Sequence, residues 1–186
     1  PEPLGPIDAD PNLEVPIRVF NWKQNVCTYG RCIAAQWAAH DIIYTQDDDV
    51  VVRNVPALYE RFLAHQQSAI TAGLAHRHYE LEAHQKPWLQ LGWGGFFRKE
   101  WLSIIQPWIR QYGEDELLHR KFDRIFTVMF GRRDPQPGDF ERLKDPRTGS
   151  DSDRDPHSLW LRPDHHRLTD LAVDRALSLR QQEGAA

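Results

Sequence analysis

The sequence is poor in cysteine and has no long apolar run. Its 186 residues include two cysteines, Cys27 and Cys32, which are too few for a disulfide framework, so we expect a reducing, cytoplasmic compartment. No apolar stretch approaches the roughly 20 residues of a membrane-spanning helix, and no signal-peptide pattern is visible. The net charge of −4 argues against broad nonspecific binding to nucleic acid or acidic membranes, while leaving room for a local basic groove.

The composition is that of an ordinary globular protein. Hydrophobic residues make up 40% and charged residues 27% of the chain, and its length predicts a single domain over residues 1–186. Five prolines in residues 1–16 predict an extended lead-in. Residues 131–157, rich in Arg, Asp, Pro and Gly, predict a flexible loop, and residues 182–186 a frayed tail. The first residue is not Met, so we expect a processed chain or part of a longer one.

Three consecutive acids follow a predicted buried strand, and the rest of the chain is arranged around them. The strand is Ile42–Thr45, and the acids are Asp47, Asp48 and Asp49. Three adjacent carboxylates repel one another, and hard cations such as Mg²⁺ and Mn²⁺ prefer such oxygen ligands. Ligands of open α/β sheets bind beyond the carboxyl ends of strands, where these acids would lie. The alternative is a solvated acidic turn.

Helical and strand patterns alternate along the chain, which predicts an α/β fold. Asn54 is a candidate N-cap, Pro107 a candidate helix kink, Gly113 a candidate helix end, and Asp164 a candidate cap of the last helix. The predicted elements, in order, are strand 17–20, helix 31–40, strand 42–45, helix 55–66, strand 68–75, helix 99–112, helix 114–124, strand 125–130, strand 158–161 and helix 165–181.

A glycine-rich aromatic segment precedes a second acidic pair. The segment Gly92-Trp93-Gly94-Gly95 would permit close backbone approach or positive φ, which suits a binding loop. After one predicted helix comes Glu114-Asp115. These acids could serve in acid–base chemistry, or they could stabilise the N-terminus of a helix through its dipole. Trp93 could stack on a sugar ring or pack in the core.

In order and spacing, these motifs resemble the GT-A nucleotide-sugar glycosyltransferases, close to family 2. The resemblance runs from about Asn25 to His166, with Asn25, Gly30 and Arg31 before the acidic strand and the acidic triplet in the place of the DxD motif. It implies a single Rossmann-like domain with a mixed central sheet flanked by helices. It also implies a metal-dependent, inverting hexosyltransferase that moves a sugar from a nucleotide-diphosphate donor, most often a UDP-sugar, to an acceptor hydroxyl.

The resemblance assigns donor-side roles to four residues. It implies that Asp49 ligates the Mn²⁺ or Mg²⁺ that bridges the donor phosphates, and that Asp47 contacts the ribose or the water shell of the metal. Arg31 and Asp48 would bind the nucleotide.

On the acceptor side, the resemblance implies that Asp115 is the catalytic base, with Glu114 beside it. Trp93, Gly94 and Gly95 would bind the acceptor. A carboxylate in reach of the acceptor hydroxyl can remove its proton during attack.

A C-terminal histidine often completes the metal site of such enzymes, and three candidates are present. They are His157, His165 and His166, and nothing in the sequence chooses between them. Neutral imidazole is a competent ligand for Mn²⁺, whereas a surface position is the alternative for each.

The sequence departs from the family at its start, because residues 1–24 cannot supply the N-terminal βαβ segment that binds the nucleotide base. We therefore expect that this segment is lacking or that the base pocket is built differently.

Two other functions stay open: a metal-dependent phosphohydrolase of haloacid-dehalogenase type built on residues 47–51, and a non-catalytic sugar- or nucleotide-binding module. The acceptor stays open as well: a saccharide, a lipid-linked sugar, a protein side chain or a hydroxymethylated DNA base. Seven arginines between Arg132 and Arg167 form a phosphate-contacting strip or a solvated loop.

Overall fold

The computed structural model describes residues 19–20, 22–47, 50–65, 70–71, 91–130, 140–142 and 162–184. These ranges contain α-helices, short 3-10 helices and β-strands, which confirms a mixed α and β protein. The α-helices are α1 (Gly30–Gln36), α2 (Val55–Ala64), α3 (Gln106–Tyr112), α4 (Glu116–Phe130) and α5 (His165–Gly184). The strands are β1 (Ile42–Thr45), β2 (Val50–Val52), β3 (Ile70–Thr71), β4 (Gly95–Arg98) and β5 (Phe140–Arg142).

The strands form two small antiparallel sheets. One sheet has the order β1-β4-β3, and the other pairs β2 with β5. Ile42 pairs with Arg98 and Thr45 with Gly95, so the end of β1 lies beside the start of β4. The parallel pairs expected of a mixed sheet are absent from the ranges that the structure describes. Strand β5 lies inside the segment predicted to be a flexible loop, and the rest of that segment lies outside the described residues.

Two predicted elements near the acidic cluster are confirmed. Strand β1 has the predicted bounds, and its central Ile43 is buried. Helix α2 begins after Asn54, whose side-chain oxygen accepts the Ala57 backbone N–H at 3.0 Å, and Pro56 lies in its first turn. The sequence therefore predicted β1 and α2, whereas β2, which follows the aspartates directly, was not predicted.

The prediction of one continuous helix over 99–112 was wrong. A 3-10 helix, Lys99–Ile105, leads into α3, and Pro107 lies in the first turn of α3. Proline lacks a backbone N–H and is well tolerated at a helix start, so it begins a new helix here instead of kinking one. Helix α3 ends at Gly113, whose φ of 71° confirms the predicted glycine stop.

The strand predicted at Ile125–Phe130 was also wrong, because these residues continue α4. From Leu117 to Met129 every residue except His119 and Arg120 is buried, and Ile125–Phe130 is apolar apart from Thr127. A short apolar run of this kind cannot be told from a buried strand by periodicity. Helix α4 is interrupted at Lys121, which has non-helical φ and ψ of −129° and 21°.

The core surrounds α4. The helix packs against α5, the Cys27–Tyr29 3-10 helix and the Lys99–Ile105 3-10 helix. Fully buried aromatic side chains of this core are Phe97, Trp108, Phe122 and Phe126. A second cluster contains Val52, Leu58, Phe62 and Phe96.

Among the helices of the described ranges, none has the length and apolarity that a membrane crossing requires.

Candidate functional site

Asp47 lies just past the end of β1, where hydrogen bonds hold the chain against the segment Leu91–Trp93. The backbone N–H of Asp47 donates to the carbonyl of Gly92 at 2.6 Å. The Thr45 hydroxyl donates to the Leu91 carbonyl at 2.8 Å. The acidic end of the strand and the glycine-rich segment, which lie more than 40 residues apart in sequence, therefore form one site.

Gly92 permits this close approach because it has no side chain. A Cβ atom at this position would overlap the carboxylate of Asp47. Glycine at position 92 therefore lets the backbone pack closely against an acid, which is one of the two uses that a binding loop has for glycine.

Arg31 joins Asp47 to the helical core. One terminal nitrogen, Nη2, donates to Asp47 Oδ1 at 2.6 Å, and the other, Nη1, donates to Asp123 Oδ2 at 2.8 Å. The Arg31 side chain is 17% exposed. Burial disfavours its charge, but Asp123 and Asp47 outweigh that effect and raise the pKa of the guanidinium above its ordinary value. Arg31 is therefore a fixed cation between two carboxylates.

Asp123 belongs to this site, although sequence reasoning missed it. It lies in the buried middle of α4, eight residues after Asp115. Burial raises the pKa of its carboxyl, and Arg31, Arg124 and the backbone N–H of Gly92 oppose that rise. The charge of Asp123 thus depends on the guanidinium beside it. Its neighbours Arg120, Lys121 and Arg124 are charged, so this stretch looks like a solvated helix face in the sequence and no local signal marks Asp123.

Charged groups of both signs meet at this site. Two carboxylates share the Arg31 guanidinium, Arg124 also acts on Asp123, and the Asp47 carboxylate is the more exposed of the two. Asp48 and Asp49 lie outside the described residues. Among the described residues, no three carboxylate, histidine or cysteine side chains are grouped closely enough to hold a metal.

Asp115, the predicted base, caps the start of α4. Its Oδ1 accepts the backbone N–H of Leu118 at 2.8 Å and the indole N–H of Trp108 at 3.2 Å. Its Oδ2 accepts a longer contact from Arg175 at 3.4 Å. These contacts match the helix-start role that the sequence left open.

The neighbouring Glu114 faces a buried tyrosine. Its Oε1 accepts the Tyr29 hydroxyl at 3.3 Å, and the Tyr29 ring stacks on His119. Burial, and then the negative charge of Cys32 and Glu114, raise the pKa of Tyr29 well above its ordinary range. In this structure Glu114 therefore ties the Cys27–Tyr29 helix to the start of α4.

The rest of the predicted acceptor segment contributes to packing. Trp93 is half-buried and packs against the cluster of Phe62 and Phe96. Gly94 has a φ of 85°, a backbone conformation that favours glycine. Gly95 begins β4 opposite Thr45. The packing alternative for Trp93 therefore describes its surroundings in this structure.

Of the three candidate histidines, His165 and His166 lie at the start of α5. His165 begins α5, and its Nδ1 lies 3.0 Å from the ammonium nitrogen of Lys121. His166 is exposed beside it, and His157 lies outside the described residues. Lys121 also donates to the His165 carbonyl and to the Thr169 hydroxyl. The structure therefore places His165 in a contact between α4 and α5.

Comparisons with known protein families, curated proteins and solved structures found no match to this chain. Any function must therefore be argued from the residues of the site.

Proposed function

We propose that this protein is a metal-dependent glycosyltransferase of GT-A type. It moves a sugar from a nucleotide-diphosphate donor, with a UDP-sugar as the first candidate, to an acceptor hydroxyl. The proposal rests on the sequence motifs and on the way their described residues meet in space.

The observation that carries the proposal is the contact of three separate motifs at the end of β1. Arg31 from the first motif, Asp47 from the acidic triplet and Gly92 from the glycine-rich segment lie in direct contact through a salt bridge and a backbone hydrogen bond. A strand end that presents a carboxylate beside a fixed arginine suits a ligand that carries both phosphate and a divalent cation.

The chain's own groups would divide the work. Asp47, with Asp48 and Asp49, would hold the divalent cation, which stabilises the departing diphosphate as a Lewis acid. Arg31 would face the donor phosphates with its fixed positive charge. Asp115 would accept the proton of the acceptor hydroxyl while that oxygen attacks the anomeric carbon and the bond to the diphosphate breaks. One displacement of this kind inverts the anomeric centre.

A non-catalytic nucleotide-sugar-binding module is the second candidate, and one observation favours it. Both oxygens of Asp115 accept hydrogen bonds from groups of the fold, Leu118 and Trp108 on one and Arg175 on the other. A carboxylate held in this way has less capacity to accept an acceptor proton.

Product analysis tests the proposal and separates the alternatives. The protein is incubated with a panel of nucleotide-diphosphate sugars and Mn²⁺ or Mg²⁺, with and without simple saccharide acceptors, and the release of nucleoside diphosphate and of inorganic phosphate is followed. The expected result is metal-dependent release of nucleoside diphosphate from one donor, which Asp115→Asn abolishes without loss of donor binding. Release of inorganic phosphate would instead identify a phosphohydrolase, and donor binding without any release would identify the binding module.

A further inference from the structure

Helix α4 is kinked at Lys121, although its own sequence supplies no reason for a kink. The backbone there has φ and ψ of −129° and 21°, outside the helical range. Sharp kinks occur at proline, at glycine or serine, or where a side chain enters the ladder of backbone hydrogen bonds. Glu116–Phe130 contains no proline, glycine or serine, and Arg120 and Lys121 are both good helix formers. The cause of the kink therefore lies in contacts that α4 makes with other elements.

The start of α5 holds the kink from one side. The Arg120 guanidinium donates to both oxygens of Asp164, at 2.8 and 2.9 Å. The amino nitrogen of Lys121 lies 2.9 Å from the His165 carbonyl, 3.0 Å from Nδ1 of the same residue and 2.8 Å from the Thr169 hydroxyl. Consecutive side chains of a regular helix project about 100° apart. At the kink, two consecutive side chains nevertheless reach the same turn of a neighbouring helix.

The Cys27–Tyr29 3-10 helix holds the kink from another side. The Thr28 hydroxyl donates to the His119 carbonyl at 3.1 Å, and the Tyr29 ring stacks on the His119 ring. In a regular helix, the carbonyl of residue 119 accepts the backbone N–H of residue 123. A hydroxyl that bonds to such a carbonyl enters the ladder of the helix, which is one of the established causes of a kink.

The kink separates two acids that sequence and structure assign to the site. Asp115 caps the start of α4, before the kink, through the backbone N–H of Leu118. Asp123 follows the kink and accepts a hydrogen bond from Arg31, which also binds Asp47. The angle at Lys121 therefore sets how Asp115 lies relative to the Arg31–Asp47 pair.

We propose that the kink at Lys121 is a conformational hinge, which the start of α5 holds bent and which sets the position of Asp115 relative to the Arg31–Asp47 pair. Because the α4 sequence favours a continuous helix, loss of the contacts with α5 straightens α4. Any event that frees the start of α5 then moves the two acidic groups relative to each other. The inference does not depend on the proposed function, because it concerns contacts within the folded chain alone.

Nuclear magnetic resonance of the full chain tests the hinge with three readouts. Residual dipolar couplings of the backbone N–H groups give the angle between Glu116–Arg120 and Phe122–Phe130. The ¹³Cα shift of residue 121 reports whether its backbone is helical. The Nε resonance of Arg31 reports on its contacts with Asp47 and Asp123.

Lys121→Met is the variant that releases the hinge. It removes the amino group that binds α5 and retains an unbranched side chain with good helix propensity. We expect a helical ¹³Cα shift at residue 121, an angle between the two halves below about 20°, the limit for a sharp kink, and a displaced Arg31 resonance. Lys99→Met is the matched control, because the amino group of Lys99 binds the Ala38 carbonyl at 2.9 Å, outside α4 and α5. It should leave all three readouts at their wild-type values.

The double variant Thr28→Val with Thr169→Val tests the hinge while Lys121 is retained. It replaces two hydroxyl groups by methyl groups of similar size, one on each side of the kink. We expect the ¹³Cα shift of residue 121 to move part of the way towards its helical value. This variant decides if Lys121→Met does not fold, and an unchanged shift in it would then overturn the inference.

A non-helical residue 121 in Lys121→Met, with unchanged dipolar couplings, would show that core packing fixes the kink and would overturn the inference. A straightened α4 with an unchanged Arg31 resonance would overturn the link between the hinge and the Arg31–Asp47 pair. The same changes in Lys99→Met would indicate a general loosening of the fold, and would also overturn the inference.

Discussion

Trp108 donates its indole N–H to Asp115 across 3.2 Å, in the turn that connects α3 to α4. The Trp108 ring is fully buried, and the same carboxylate oxygen accepts the backbone N–H of Leu118. One carboxylate therefore accepts hydrogen bonds both from a buried indole N–H and from a backbone N–H in the first turn of α4. Any test of Asp115 as a catalytic base must separate its chemistry from this structural role.

Substitution at Asp115 provides that separation. Asp115→Ala removes a helix cap and leaves a buried indole N–H without its partner, so we expect a loss of about 2 kcal/mol in the free energy of unfolding. Asp115→Asn retains Oδ1 as an acceptor and is expected to lose less than half of that. Urea denaturation measures both, with Asp174→Ala as an exposed control on α5. Equal stability of Asp115→Ala and the wild type would refute the capping role, and loss of activity in Asp115→Asn at near-normal stability would support the catalytic one.

Lys121 is expected to make the stability depend on pH. Its side chain is buried, with the residue 4% exposed, and its amino nitrogen contacts the ring and the carbonyl of His165 and the hydroxyl of Thr169. Burial, and then the charges of Arg124 and Arg120, lower the pKa of Lys121 from 10.5 to about 7, while Asp164 and Asp170 partly oppose them.

A lysine with a lowered pKa in the folded state binds fewer protons there than in the unfolded chain between the two pKa values. Stability therefore rises with pH above about 7, by about 2 kcal/mol between pH 7 and 9 from this group. This rise in stability ends near pH 9, because burial raises the pKa of the Cys32 thiol from 9.0 to about 12. Above pH 9 the thiol loses its proton in the unfolded chain before it does so in the folded one, which lowers stability as the pH rises further. Urea denaturation at each pH should show this rise in the wild type and its loss in Lys121→Met. The same slope in both proteins would contradict the assignment.

Gly92→Ala tests the close packing at the acidic site. The added methyl group overlaps the Asp47 carboxylate, which must move away from the Gly92 backbone and from its position beside Arg31. We expect a loss of roughly 1–3 kcal/mol in the free energy of unfolding, in the range of overpacked sites, together with weaker Mn²⁺ binding. Gly184→Ala, which meets no neighbouring atom at the end of α5, should be neutral or slightly stabilising. A Gly92→Ala protein as stable as the wild type would show that the acid has room to move.

Short-range sequence patterns predicted two of the elements around Asp47, strand β1 and helix α2. The apolar run Ile42–Thr45 and the capping Asn54 are short-range patterns, and both β1 and α2 form where they indicated. Pro107 lies in the first turn of α3, where proline is common. The apolar pattern over residues 99–112 nevertheless predicts one longer helix with a kink at this proline.

The remainder depends on contacts that sequence patterns do not show. Ile125–Phe130 continues α4, and the burial of residues 125–129 removes the polar face that distinguishes a helix from a strand. Asp123 resembles any acid on a solvated helix face until the fold brings Arg31 to it. The Gly92 contact with Asp47 likewise needs the antiparallel pairing of β1 with β4.

Calorimetric titration of nucleotide-diphosphate sugars in the presence and absence of Mn²⁺ tests the central claim most directly. It compares the wild type with Asp47→Asn and with Asp41→Asn, which removes the same charge at the opposite, exposed end of β1. The account predicts metal-dependent binding of one donor to the wild type and to Asp41→Asn, and binding at least about tenfold weaker, or about 1.4 kcal/mol, to Asp47→Asn. Equal binding to the two variants, or no donor bound under any metal condition, would contradict the assignment of a donor site to the end of β1.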